Sequence, residues 1–210
     1  MAMGWVTNLV QRGAVSMRRI NEILEEVPEI RDAPDARPPA RVEGALSIRG
    51  FTFAYATSPG PALKGLTLRV EPGQSVAVVG RVGSGKSTLL KALPRMIQVA
   101  PGTIFLDGVD IVEIPLNTLR GNMAFVTQEV FVFSDTIRNN ILFGRDGFTE
   151  AWLETVVEAS GLREEVGGFE KGLDTTVGEK GIALSGGQRQ RLTLARALMA
   201  NPPILILDDP

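Results

Sequence analysis

The chain has 210 residues, room for one full domain with an appendage and for a sizeable hydrophobic core. Its composition, 44% apolar and 22% charged with a formal net charge of -2, is that of an ordinary soluble chain and lacks the basic excess expected of a nucleic-acid binder. There is no Cys and no His, which excludes disulfides, thiolate metal sites and imidazole bases. Any chemistry must run on carboxylates, Lys, backbone amides or a bound metal. No run approaches the roughly 18 to 20 apolar residues that span a bilayer, and the N-terminus has no secretory pattern.

From Gly4 to Val27, apolar residues at Val6, Leu9, Val10, Met17, Ile20, Leu24 and Val27 recur at three- and four-residue spacing, predicting an amphipathic helix. It reads either as a surface helix packed on the domain or as the cytoplasmic foot of a membrane helix, where the nearby Arg12, Arg18 and Arg19 would be favoured. Residues 28–41 carry Pro28, Pro34, Pro38 and Pro39 and predict an extended linker. Strands are expected at 46–53 and 66–70, with a turn at 71–74 and a short β-branched run at 75–79 (SVAVV) of the kind buried in a parallel sheet. A helix from Ser87 to Leu93, a hairpin around Asp107-Gly108, helices at 149–160 and from about 186 to 200, and a strand at 204–207 (ILIL) follow. Strands alternating with helices predict an α/β fold with a mainly parallel sheet.

Residues 80–88 read GRVGSGKST and fit G-x-x-x-x-G-K-[ST] between an apolar run and a helix. Gly80, Gly83 and Gly85 let the backbone turn tightly and aim N–H groups at phosphate oxygens, while the helix N-terminus adds partial positive charge. Ser84 and Thr88 lie in the same cradle. Lys86 reaches the terminal phosphates and the Ser87 hydroxyl suits Mg2+. The motif points to a nucleoside triphosphate without naming the machine. Four apolar residues followed by Asp208 supply the expected second half, a strand that holds a carboxylate beside the phosphate loop.

Residues 184–191 read LSGGQRQR. Here the sequence closely resembles the ATP-binding cassette (ABC) family, whose signature is LSGGQ, carried by Leu184, Ser185, Gly186, Gly187 and Gln188. The resemblance runs from Val42 to the last residue. It implies a P-loop NTPase fold with an antiparallel β subdomain and a helical subdomain inserted at about 129–190. It also implies ATP and Mg2+ as cofactors, with the Mg2+ held by Ser87, Gln128 and Asp208, and a head-to-tail pair in which the signature of one cassette closes over ATP on the phosphate loop of another. Tyr55, in FTFAY, resembles the aromatic that stacks on adenine, and Gln128, in VTQEV, the loop glutamine that senses the membrane domain. The 176–181 run (TVGEKG) and the 131–144 run (FVFSDTIRNNILFG) resemble the exporter branch, the second being the segment that receives the coupling helices of the transmembrane domain. The expected place of such a chain is the cytoplasmic face of a membrane.

Two departures stand out. After Asp208 the family usually carries Glu as the water-activating base, where this chain has Asp209, one methylene shorter by roughly 1.5 Å of reach. Heterodimeric exporters resemble this, one cassette having a weakened base and an intact signature. The chain also stops before the family's dimer-contact loop and switch histidine, so the expectation is a C-terminally truncated fragment of a longer product, inactive by itself. Lys86, Gln128 and Asp209 are the catalytic candidates. Alternatives are a soluble cassette ATPase of DNA repair or translation, which predicts basic surfaces or coiled-coil insertions, and a regulatory cassette that binds ATP with little hydrolysis.

Overall fold

The computed structural model of the protein describes residues 2–179 and 181–209. Met1, Pro210 and Lys180 of the 176–181 run lie outside the described residues. The chain divides into two units, residues 1–31 and 32–210.

The first unit is one helix, α1 (Ala2–Leu24), which ends three residues short of the last apolar position of the sequence pattern. At 1.5 Å per residue it is about 35 Å long. Its apolar residues, Trp5, Leu9, Val10, Met17 and Ile20 among them, are exposed. No helix among the described residues is long and apolar enough to cross a membrane.

In the second unit, the proline-rich stretch has neither helix nor strand, and it is pinned at two points. The Asp32 carboxylate accepts from the Leu116 amide at 2.7 Å, and the Arg37 amide donates to the Glu113 carbonyl at 3.0 Å. Strands β1 (Leu46–Phe53) and β2 (Leu63–Val70) pair antiparallel, Leu46 facing Val70. Helix α2 (Lys86–Ala92) follows. Strand β3 (Ile104–Leu106) joins the other edge of β1 and turns at Asp107-Gly108 into β4 (Val109–Asp110), giving a four-stranded order β2-β1-β3-β4. Asp107 anchors this sheet by accepting from the amides of Glu43, Gly44 and Ala45. After α3 (Leu116–Gly121) comes β5 (Met123–Val126), then α4 (Ile137–Leu142), α5 (Glu150–Ala159), α6 (Arg163–Gly167), a 3-10 turn at Gly172–Asp174, α7 (Gly186–Met199) and β6 (Ile204–Leu207). Strands β5 and β6 pair in parallel, Met123 with Ile204 through Val126 with Leu207.

Two cores result. One gathers Phe51, Ile104, Leu106, Ile111, Leu119 and Leu89 with Ile204 and Ile206 of β6. The other packs α4, α5 and α7 through Ile141, Leu153, Val156, Leu192, Ala195 and Met199. Antiparallel sheet, parallel pair and helical insert agree with the expected mixed α/β architecture.

One expected element is missing. Residues 75–79 form no strand, and Val76, Val78 and Val79 are exposed, Val79 at 89%. A strand exists only when a neighbour takes up its amides and carbonyls. Among the described residues none pairs with this run, and β6 pairs on one edge alone. Consequently β6 buries Ile204 and Ile206 and leaves Leu205 and Leu207 exposed on its other face.

Candidate active site

The phosphate-loop motif sits where the exposed 75–79 run meets α2. Lys86 folds back over its own loop, its ammonium donating to the carbonyls of Gly80 at 2.9 Å and Arg81 at 3.1 Å. Gly85 caps α2 in the left-handed region, φ 90°, where other residues are strained. A Cβ there would come within 2.6 Å of the Ala62 carbonyl, and one on Gly80 within 2.6 Å of the Ser84 hydroxyl. The cradle therefore depends on the absence of side chains at both positions.

The next two residues leave the cradle in different directions. The Ser87 hydroxyl donates to Asp208 Oδ1 at 2.9 Å, a bond spanning 121 positions of sequence. Asp208 is 8% exposed and its amide donates to the Val126 carbonyl at 2.9 Å, so the β5–β6 pairing holds that carboxylate against α2. Thr88, buried, shares a 3.0 Å hydrogen bond with the Tyr55 hydroxyl. The Tyr55 ring stands edge-on to Phe53, with centroids 4.9 Å apart.

Beyond β6, Asp209 takes a positive φ of 55°, which a short polar side chain tolerates. Its carboxylate accepts from the Gln128 side-chain Nε2 at 3.3 Å. Both are exposed. Lys86, Ser87 and Thr88 begin α2, and hydrogen bonds join Ser87 to Asp208 after β6, Thr88 to Tyr55, and Gln128 after β5 to Asp209.

The residues present fit a magnesium-bound nucleotide. A side chain on Gly80 would press on Ser84 and one on Gly85 on Ala62 and Leu63, so either would distort the loop, and the hydroxyl and carboxylate of Ser87 and Asp208 are the hard oxygen donors that Mg2+ takes. Among the described residues no cluster of three or more His, Cys, Asp or Glu could hold a metal unaided.

The signature residues form a second group. Ser185 caps α7: its hydroxyl accepts from the Gln188 amide at 3.3 Å, while Gln188 Oε1 accepts from the Ser185 amide at 2.9 Å. This reciprocal pair is a capping box. Gly186 and Gly187, the first two residues of the helix, are exposed, and their amides are of the kind that helix N-termini leave free. Leu184 packs on the helical core. No hydrogen bond joins residues 184–188 to the phosphate loop among the described residues. The 176–182 run is knitted to the segment before α4: Val177 donates to the Asp135 carbonyl at 2.9 Å, Thr136 bridges Thr176, and a Cβ on Gly178 would lie 3.0 Å from Ser134 Cα.

Strand β5, the buried Asn140 and the half-buried Arg196 escaped the sequence reading. The only sequence signal for Arg196 was a charge among the apolar residues of RLTLARALMA.

The sequence pattern of the ABC transporter family matches residues 63–210, which takes in the phosphate loop, the signature and Asp208. The chain belongs to the ABC transporter family. Among similar proteins, an ATP-dependent lipid A-core flippase of Chromobacterium violaceum is 42% identical over 204 residues, covering 97% of this chain and 35% of the relative. The multidrug resistance-like ATP-binding protein MdlA of Escherichia coli is 38% identical over 209 residues, again 35% of the relative. A solved structure of a bacterial Atm1-family ABC exporter with ATP bound superposes with a TM-score of 0.88 at 33% identity, over 99% of this chain and 36% of that one. This ABC chain spans about a third of the length of the curated relatives it matches.

Proposed function

We propose that the chain is the nucleotide-binding cassette of an exporter, binding and hydrolysing ATP at the cytoplasmic face of a membrane to drive substrate across it. The observation that carries this reading is the Ser87–Asp208 hydrogen bond, which unites the two halves of a triphosphate site across 121 positions of sequence. The names of the similar proteins, a flippase and exporters, support the branch.

Bound Mg2+ would neutralise developing phosphate charge, held by Ser87 and Asp208 with Gln128 nearby. Everything else falls to the chain. Glycine amides of residues 80–85 orient the phosphates, and Lys86, released from the Gly80 and Arg81 carbonyls, adds its charge to the terminal one. Phosphoryl transfer to water needs little beyond such positioning and charge. Tyr55 offers a ring face to adenine. Asp209, paired with Gln128, is the group placed to accept the proton of the attacking water. Leu184, Ser185, Gly186, Gly187 and Gln188 would close over ATP held by a second cassette, head to tail. The 131–144 segment would receive the coupling helices of a transmembrane domain, and residues 1–27 would form the foot of its last helix, joined to the cassette by residues 28–41.

Because Asp209 is shorter than Glu, and a misplacement of about 1 Å costs on the order of 10²-fold in rate, we expect slow hydrolysis at this chain's own loop. The test uses the full-length transporter in lipid vesicles. Lys86→Met should lower ATP turnover at this site about 10²-fold or more, and Asp209→Glu should raise it. Turnover insensitive to Lys86→Met would refute the ATPase reading, and no gain from Asp209→Glu would remove the weakened-base idea. A second reading, a cassette that binds ATP to regulate a more active partner, is favoured by the same Asp209. Single-turnover hydrolysis at this site separates the two.

A further inference from the structure

Three phenylalanines meet at the surface of the helical region. Phe131 and Phe133 are edge to face with centroids 4.8 Å apart, and Phe133 lies 5.3 Å from Phe143. They are exposed at 64%, 39% and 51%. A contiguous aromatic patch of this kind marks an interaction surface.

The patch is tied to α7 by one side chain. Arg196, in the last turn of that helix, donates from Nε to the Asn140 carbonyl at 2.9 Å, from Nη2 to Asn140 Oδ1 at 3.0 Å, and from Nη1 to the Phe131 carbonyl at 3.1 Å. Its guanidinium carbon also lies 5.3 Å from the ring centroids of both Phe133 and Phe143, within cation–π range. Asn140 extends the tie: 1% exposed, it accepts from the Phe133 amide at 2.9 Å and donates to the carbonyls of Phe133 and Thr136, both at 3.0 Å.

Among the described residues the Arg196 charge thus meets carbonyl oxygens and ring faces in place of a carboxylate. Burial, with the nearby Arg145 charge adding to it, lowers its pKa, yet a guanidinium stays protonated in proteins. A planar fork can hold three acceptors and two rings at once, which a lysine ammonium on a flexible stem cannot. The opposite end of the same helix is the Ser185–Gln188 capping box. Fourteen helical residues separate the two ends, about 20 Å of rigid rod.

We propose that Arg196 is a positioning residue that locks the Phe131–Phe133–Phe143 patch to α7, so that a membrane-domain helix seated on the patch displaces the Ser185–Gln188 turn. The proposal rests on the exporter reading and adds to it the side chain that carries the load.

The test compares ATP turnover of the full-length transporter in phosphatidylethanolamine–phosphatidylglycerol vesicles with turnover in detergent micelles. The ratio of the two reads what the membrane domain transmits. Arg196→Lys keeps the charge and loses the fork. It should cut that ratio about fivefold or more, the scale of an ordinary coupling, with the KM for ATP in micelles shifting less than about twofold, since a coupling energy of this kind leaves uniform nucleotide binding unchanged. Phe143→Leu removes one ring face and should cut the ratio in the same direction. The double variant should lose little beyond Arg196→Lys alone, because both act through one contact. An unchanged ratio in Arg196→Lys, additive losses in the double variant, or a KM rising in step with the lost turnover would overturn the proposal. Should Arg196→Lys not accumulate folded, Phe143→Leu decides by itself, and a wild-type ratio retained there overturns it. A wild-type ratio of one would sink the exporter reading and the proposal with it, an outcome distinct from a coupled wild type whose variants stay coupled.

Discussion

The signature turn and the phosphate loop have the same task on paper, each offering glycine amides at the start of a helix, yet they are built to different degrees of completion. Ser185 and Gln188 satisfy one another, and the helix they open is 14 residues long with Leu192, Ala195 and Met199 buried in a core of its own. The phosphate loop hangs between α2, seven residues long, and a valine-rich run that is exposed and, among the described residues, unpaired. It is held mainly by Lys86 on the Gly80 and Arg81 carbonyls and by Ser87 on Asp208. A helix makes its backbone bonds within its own segment, whereas a strand borrows them from another. The helical region is therefore finished largely within its own segment, whereas the phosphate loop is flanked by a run that lacks a pairing partner among the described residues.

That contrast can be attacked at three points. The largest effect should come from Leu192→Ala, which opens a hole in the helical core where the side chain is fully buried. Such truncations cost about 2 to 5 kcal/mol, and urea unfolding should show the loss. Next, Ser185→Ala removes one arm of the capping box and should cost about 1 kcal/mol; no change would mean that the turn is held by something other than the Ser185–Gln188 pair. The smallest effect belongs to Val79→Thr. With Val79 at 89% exposure, the substitution should move stability by less than about 0.5 kcal/mol. A loss as large as that of Leu192→Ala would show that the 75–79 run is packed in solution and would erase the comparison.

Much of the molecule was legible before any coordinates. The phosphate loop, Asp208, the hairpin at Asp107-Gly108, the helices at 150–159 and 186–199 and the strand at 204–207 announce themselves through glycine placement, periodicity and length. The failures have physical causes. SVAVV has the composition of a buried strand, but composition cannot say whether a neighbour is present to pair with it. Strand β5 was invisible because four apolar residues between loops carry no period. The union of Ser87 with Asp208 could be anticipated from motif order, while the Tyr55–Thr88 and Gln128–Asp209 bonds depend on rotamers that no spacing encodes. Arg196 reads in sequence as one more helical surface charge, and only the fold turns it inward toward Asn140.

The parallel pairing of β5 with β6 also sets a schedule. Val126 and Ile204 lie roughly eighty residues apart, and the whole Ile137–Met199 core is encoded between them. At about 5 to 20 residues per second, a ribosome takes about 4 to 16 s to cover that interval, far longer than helices need to form and collapse. On the nascent chain the helical insert can settle while β5 is still without a mate. Asp208 then arrives after the insert, to meet a hydroxyl made many seconds before it.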